Sequence, residues 1–278
     1  MMSPKTKKKT IAVSDFVIRL LVGLLFISPL IIGLFFSVQT EDTLMTYPLR
    51  LITKNPTLEN YAIVFQKVPL LTYLKNSVII CVVSILGQIV FASLCAYGFV
   101  FFEFPGKKLL WTLVLSTMMV PGEVVVITNY VTIQNLNLMN TYAALIITHL
   151  IGGTSIFMMR QYYMQLPKDF KEAATLDGCG DLGFLFRIAT PLSIPTISSL
   201  AIYMFVQIYN GFFWPLLVTT TDEMRTVQIG IAFLVSSDIV NYGQILAGAM
   251  VAIIPSTVAY IFGQDYIIKG MTSGGVKG

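Results

Sequence analysis

KEAATLDGCGDLGFLFRIATPLSIP, residues 171–195, is a polar, glycine-punctuated passage set between two long apolar runs. Its surroundings decide the fold. Of 278 residues, 55% are hydrophobic and only 12% charged, and the mean hydropathy is +0.77, outside the range of ordinary soluble domains. A run of roughly 20 apolar residues spans a bilayer as a helix, the form that satisfies every backbone polar group internally. Six such runs can be read, at about 16–38, 76–102, 109–131, 141–159, 194–219 and 243–268. The expected architecture is an all-α polytopic membrane protein of about six transmembrane helices. Pro29, Pro121, Gly122 and Pro255 fall inside these runs and predict kinks or breaks, tolerated where neighbours satisfy the freed backbone groups.

Orientation follows from the basic residues, which are retained on the cytoplasmic side during insertion. The lysines of the first ten residues, Lys107, Lys108, Arg160, Lys168, Lys171, Arg187 and Lys269 fall on one face. The other face holds Arg50, Lys54, Lys67, Lys75 and Arg225 among several carboxylates. The 171–195 passage and both termini are therefore expected on the cytoplasmic side. The formal charge of +4 is spread along loops as a topology signal and not gathered on one helix face, which argues against nucleic acid as a partner. The run Phe16–Val38 exceeds the roughly 7–15 residues of a secretion-signal core and reads as an uncleaved first span. The expected organisation is a cytoplasmic tail at 1–15, one transmembrane domain at 16–268 and a second cytoplasmic tail at 269–278. The three cysteines lie in a span or in the cytoplasmic connection and imply no disulfide framework.

Within the passage, Leu166-Pro167 is expected to end the fourth helix, because proline lacks the donor needed to continue it. Asp169 and Glu172 form a D-x-x-E start signal. A short helix from about Phe170 would place Phe170, Ala173, Ala174 and Asp177 on one stripe, and Gly178 would close it with left-handed backbone. A second short helix from Asp181 would bury Phe184, Leu185 and Ile188, and Pro191 and Pro195 would end the unit. Helices of two turns are marginal alone in water and must pack on something. They could pack as a loop on their own bundle. Alternatively, Ala173 and Ala174, flanked by Glu172 and Asp177, suit insertion as a small-residue knob into a partner's cleft.

The pattern Glu172-Ala173-Ala174, then Asp177-Gly178, then Ile188 and Pro191 resembles the EAA motif of permease subunits of bacterial ABC importers. KNSVII at 75–80, FRIATPLSIP at 186–195, YNGFFWPLL at 209–217 and GMTSGGVKG at 270–278 resemble the smaller permease of the maltose-type carbohydrate importers, whose members are binding-protein-dependent transport inner membrane components. The likeness covers nearly the whole chain from about residue 15. Thr190 and Gly211 depart from it, where the family usually has leucine and an acidic residue. The resemblance implies a heteromeric importer: a second, homologous permease, two copies of an ATP-binding subunit, and an external substrate-binding protein. It makes Phe170, Glu172, Ala173, Ala174, Asp177, Gly178, Ile188 and Pro191 the ATPase-coupling residues, in a loop at 160–193 between helices four and five. It also implies contact of the tail residues Thr272, Ser273 and Lys277 with the ATPase. ATP and magnesium would belong to that partner. The chain carries no G-x-x-x-x-G-K-[ST] phosphate loop and needs no cofactor or metal of its own, so it is expected not to be an enzyme.

Polar groups inside spans are expensive and usually face a partner or a water-filled cavity. Candidates for the substrate pathway are Glu123, Asn129, Tyr130, Gln207, Asn210, Phe213 and Trp214. A helix-to-helix hydrogen bond is the plainer reading of any single amide. Glu123 follows Pro121-Gly122 at a helix break, where transporters often place their sites, and a gating or structural role stands level with substrate contact. Aromatics beside amides suit the apolar faces and hydroxyl rim of a sugar, although Trp and Tyr also gather at membrane interfaces. Without Lys or Arg in mid-span, a neutral sugar or oligosaccharide is favoured over glycerol 3-phosphate or a related polyol phosphate. A stand-alone ion-coupled carrier would need chains of intramembrane acids or histidines, and Glu123 and His149 stand nearly alone.

Overall fold

The computed structural model describes residues 4–235 and 240–273, with side chains described over 13–235 and 240–264. It is all-helical among those residues. Val13–Ser37, Leu70–Phe101 and Tyr242–Gln264 are each long and apolar enough to cross a membrane. Three further helix pairs qualify together, bent by 98° between Lys107–Thr117 and Gly122–Asn135, by 46° between Tyr142–His149 and Gly153–Tyr163, and by 76° between Asp181–Leu192 and Ile194–Tyr209. Counting each bent pair as one span gives six.

The breaks have local causes. Pro121 caps the helix Gly122–Asn135 in extended backbone, so the expected break in the third span falls there. Gly152, also extended, divides the fourth. Pro29 and Pro255, in contrast, sit inside unbroken helices, Pro4–Ser37 and Tyr242–Ser273. These two helices also extend into the two expected tails. The first starts at Pro4 and the last continues through Gly270 to Ser273, so helix occupies most of 1–15 and the start of 269–278. The helix of the fifth span ends earlier than expected, at Tyr209, and Phe213–Val218 forms a separate short helix.

The chain divides into two compact units. The first comprises the chain up to Leu70 together with Ile231–Ile253. There the Asn60 amide donates to the carbonyls of Ser37 (2.9 Å) and Gln39 (2.7 Å), satisfying orphan acceptors at the end of the first long helix. Lys67 Nζ donates to Gln244 Oε1 at 2.8 Å.

The second unit comprises Leu71–Gly230 and the chain from Ile254. Its long helix, Leu70–Phe101, buries a stripe of small and polar residues: Asn76, Ser77, Ser84, Ala92, Ser93 and Ala96. Its outer face exposes Val78, Val82, Leu86, Val90 and Leu94. This inversion suits lipid, which rewards large apolar residues outside and allows close backbone packing through small residues inside. Gln88 Nε2 donates to Ser155 at 2.6 Å, tying this helix to Gly153–Tyr163. Two apolar clusters follow. One gathers Ala92, Ala96, Tyr97, Met159, Tyr163, Phe184 and Leu200. The other gathers Ile80, Ile133, Ala144, Leu145 and Val218.

Candidate functional site

The passage 164–193 lies at the edge of the first cluster. The helix Gly153–Tyr163 ends before Leu166, and Pro167, in extended backbone, caps the next helix, Lys168–Leu176. Asp169 stands inside its first turn and caps nothing, so the expected D-x-x-E box is not formed; a carboxylate there still complements the helix dipole. The far end is a Schellman motif. Gly178 has φ +75°, its N–H donates to the carbonyl of Thr175 (3.0 Å), and the Cys179 N–H reaches the carbonyl of Ala174 (2.8 Å). The second helix is longer than expected, running from Asp181 to Leu192 through a π-type turn at Leu185–Ala189. Pro191 therefore lies within it, and the bend comes at Ser193.

The stripe expected of the first helix is split. Ala174 is buried in the chain's own cluster, so it is not part of an exposed knob. Phe170 is 46% exposed, and Glu172, Ala173, Asp177 and Gly178 are open to the surroundings. Leu176, which the sequence reading passed over, is 89% exposed. Its signal was available: it lies three residues after Ala173, outside the apolar runs, on the same helix face. Ile188 is half-buried against the first cluster and Pro191 is exposed.

One side chain pins this helix. Lys171 forms an ion pair with Asp181 and contacts the Tyr97 hydroxyl at 2.5 Å, and Tyr97 itself donates to Asp181 Oδ1 at 2.9 Å. Its Nζ also lies 4.9 Å from the Phe184 ring centroid. Burial works against the Lys171 ammonium, but the Asp181 and Tyr97 contacts outweigh it and hold its pKa above the ordinary value. No feature of the sequence ties Lys171 to Tyr97, 74 positions away.

The pathway candidates are dispersed. Glu123 is exposed in the first turn of Gly122–Asn135, after the 98° bend, and among the described residues makes no ion pair. Tyr130 and Trp214 come together against the second cluster, where Trp214 Nε1–H donates to the Ala144 carbonyl at 3.1 Å. Asn129 lines a cavity of about 270 Å³ with Thr132 and Thr148. Gln207, Asn210 and Phe213 are exposed near the end of Ile194–Tyr209, and Gln228 donates to Asn210 at 3.4 Å. Sequence reasoning missed Asn76, fully buried, which donates to the carbonyls of Glu223 (2.7 Å) and Arg225 (2.9 Å) and accepts from the Tyr142 hydroxyl (2.6 Å). Its place in KNSVII, at the start of a span, was the available sign. Thr272 and Ser273 occupy the last turn of the final helix, with side chains not described, and Lys277 lies outside the described residues. Among the described residues no three His, Cys, Asp or Glu side chains gather as a metal site would require.

The family described as binding-protein-dependent transport system inner membrane component matches residues 58–273. The arabinooligosaccharides transport system permease protein AraQ of Halalkalibacterium halodurans is 34% identical, covering 98% of this chain and all of that protein. The trehalose/maltose transport system permease protein MalG of Thermococcus litoralis is also 34% identical, over 93% of this chain and 94% of its own. A chain from the crystal structure of a bacterial ABC transporter involved in the import of the acidic polysaccharide alginate has the same fold, with a TM-score of 0.80 at 18% identity over 96% of this chain and 99% of that one.

Proposed function

Because the chain belongs to the family of binding-protein-dependent transport system inner membrane components, a permease and not an enzyme, we propose that it forms half of the pathway of an ATP-driven importer for a neutral sugar or short oligosaccharide. A second, homologous permease forms the other half. Two copies of an ATP-binding subunit, carrying ATP and magnesium, drive it from the cytoplasmic side, and an external binding protein delivers the sugar. Both termini and the 160–193 connection face the cytoplasm, as the distribution of basic residues favours.

The observation that carries the coupling role is the helix Lys168–Leu176. It projects Phe170, Glu172, Ala173 and Leu176 outward while Ala174 and Lys171 hold its inner side. An apolar residue such as Leu176, 89% exposed in a polar connection, is the kind of anchor that a partner's cleft buries. Phe170, Glu172, Ala173, Asp177 and Gly178 make the contact, whereas Ala174, Ile188 and Pro191 shape the base from which it projects. Thr272, Ser273 and Lys277 contribute contacts with the ATP-binding subunits. In the pathway, Glu123, Asn129, Tyr130, Gln207, Asn210, Phe213 and Trp214 supply polar and aromatic groups. The neutral-sugar class is supported by AraQ and MalG and by the lack of mid-span cations.

The test is to reconstitute the chain with its co-purifying subunits and measure ATP hydrolysis with the binding protein loaded with arabino-oligosaccharides, maltose, trehalose or glycerol 3-phosphate. Stimulation by a neutral saccharide is expected. Stimulation by glycerol 3-phosphate alone would assign the phosphate class instead.

A further inference from the structure

A cavity of about 530 Å³ opens at the turn between the helices Leu70–Phe101 and Lys107–Thr117. Its volume lies within the roughly 300–1,000 Å³ of small-ligand sites. Phe99, Phe104 and Trp111 supply aromatic walls, and Lys107, Lys108 and Arg160 supply cations. Glu103 also lines it, but this carboxylate is engaged by Lys107 at 2.9 Å. Among the described residues Lys108 and Arg160 have no carboxylate partner. The Arg160 guanidinium lies 4.1 Å from the Trp111 ring centroid, and its Nε–H is buried without a hydrogen-bond partner. A stacked guanidinium that lines the cavity and has no carboxylate partner is preorganised for a phosphate oxygen.

We propose that this cavity binds the headgroup of an acidic phospholipid. The site sits where the helix Leu70–Phe101 ends, Lys107–Thr117 begins and Gly153–Tyr163 reaches its last turn, and the ends of membrane-crossing helices are where headgroups lie and Trp is enriched. On the same helix, Leu109, Leu110 and Leu113 are 66%, 47% and 53% exposed, so acyl chains below the headgroup meet an apolar face. A soluble anion would meet the same cations but gain nothing from those leucines. Basic pockets between transmembrane helices recognise acidic headgroups by this combination of charge and depth.

The full-length chain, purified in neutral detergent, is mixed with phosphatidylglycerol or phosphatidylcholine and lipid retention is read by native mass spectrometry. Phosphatidylglycerol is expected to be retained about tenfold more, and Arg160→Gln and Lys108→Gln each to lower that retention about fivefold without changing phosphatidylcholine. Lys108 is exposed, so its variant keeps the test decisive should Arg160→Gln fail to fold. Equal retention of the two lipids, retention unchanged in both variants, or displacement of phosphatidylglycerol by millimolar inorganic phosphate would overturn the assignment, the last by pointing to a soluble anion.

Discussion

Gly178 is the residue on which the geometry of the connection turns. An added Cβ would meet nothing within 4 Å inside this chain, so within it a substitution is penalised only by backbone conformation, at φ +75°, while a charged side chain such as Asp would also enter the proposed contact with the ATP-binding subunit. That penalty is about 1–2 kcal/mol for an ordinary L-residue and less for Asn, which tolerates the left-handed region. Transport is therefore expected to fall in the order Gly178, Gly178→Asn, Gly178→Ala, Gly178→Val, measured as uptake at equal expression; a flat series would contradict the cap's role. Asn76 gives a second residue-scale test. Asn76→Ala removes the buried amide that bonds the Glu223 and Arg225 carbonyls and the Tyr142 hydroxyl, and a loss of about 1–3 kcal/mol in stability is expected from thermal unfolding in detergent. Gly178 was legible in the sequence because a left-handed cap has a residue signature. Asn76 was not, because its partners lie more than 60 positions away and no local rule names them.

Among the elements, the helix Lys168–Leu176 is held by Ala174 packing and by one polar pin, Lys171. Lys171→Met removes the ion pair to Asp181 and the contact with Tyr97, so amide exchange across 168–176 is expected to rise while the membrane spans stay protected. Exchange unchanged from the wild type would show that Ala174 packing suffices. The pH behaviour follows from the direction of the Lys171 shift. Its folded pKa is raised, so the stabilisation is fully present below the unfolded value of about 10.4 and is lost only as pH rises through the higher folded one. Co-purification of the ATP-binding subunit should accordingly not weaken through Lys171 between about pH 6 and about pH 9. The break at Pro121 could be read from the chain because proline removes a donor and clashes with the preceding turn. The break at Gly152 could not, since glycine inside an apolar run is compatible with a continuous helix. There, a Cβ on the neighbouring Gly153 would approach the Thr117 hydroxyl at 2.7 Å and the Val114 carbonyl at 3.1 Å, a tertiary constraint.

At the scale of the molecule, composition and run length were enough to give the class and the runs that become three long crossing helices and three bent pairs, because a bilayer asks for about the same length of every crossing helix. They could not tell Ala173 from Ala174, adjacent and chemically identical, of which one is open and the other buried. That difference comes from the bundle beneath. The proposed importer gives the dispersal of the pathway candidates the same kind of origin: a half-pathway would present its polar groups to a partner surface, and a single chain would not bring them together. The central claim is that the connection 160–193 couples a separate ATPase to this permease. Its most direct test is to purify the tagged chain from native membranes beside its Gly178→Asp variant and to identify by mass spectrometry what accompanies each. An ATP-binding subunit and a second permease with the wild type, and loss of the ATP-binding subunit from the variant, are the predicted result. A wild-type chain that purifies alone and still transports without ATP would contradict the account.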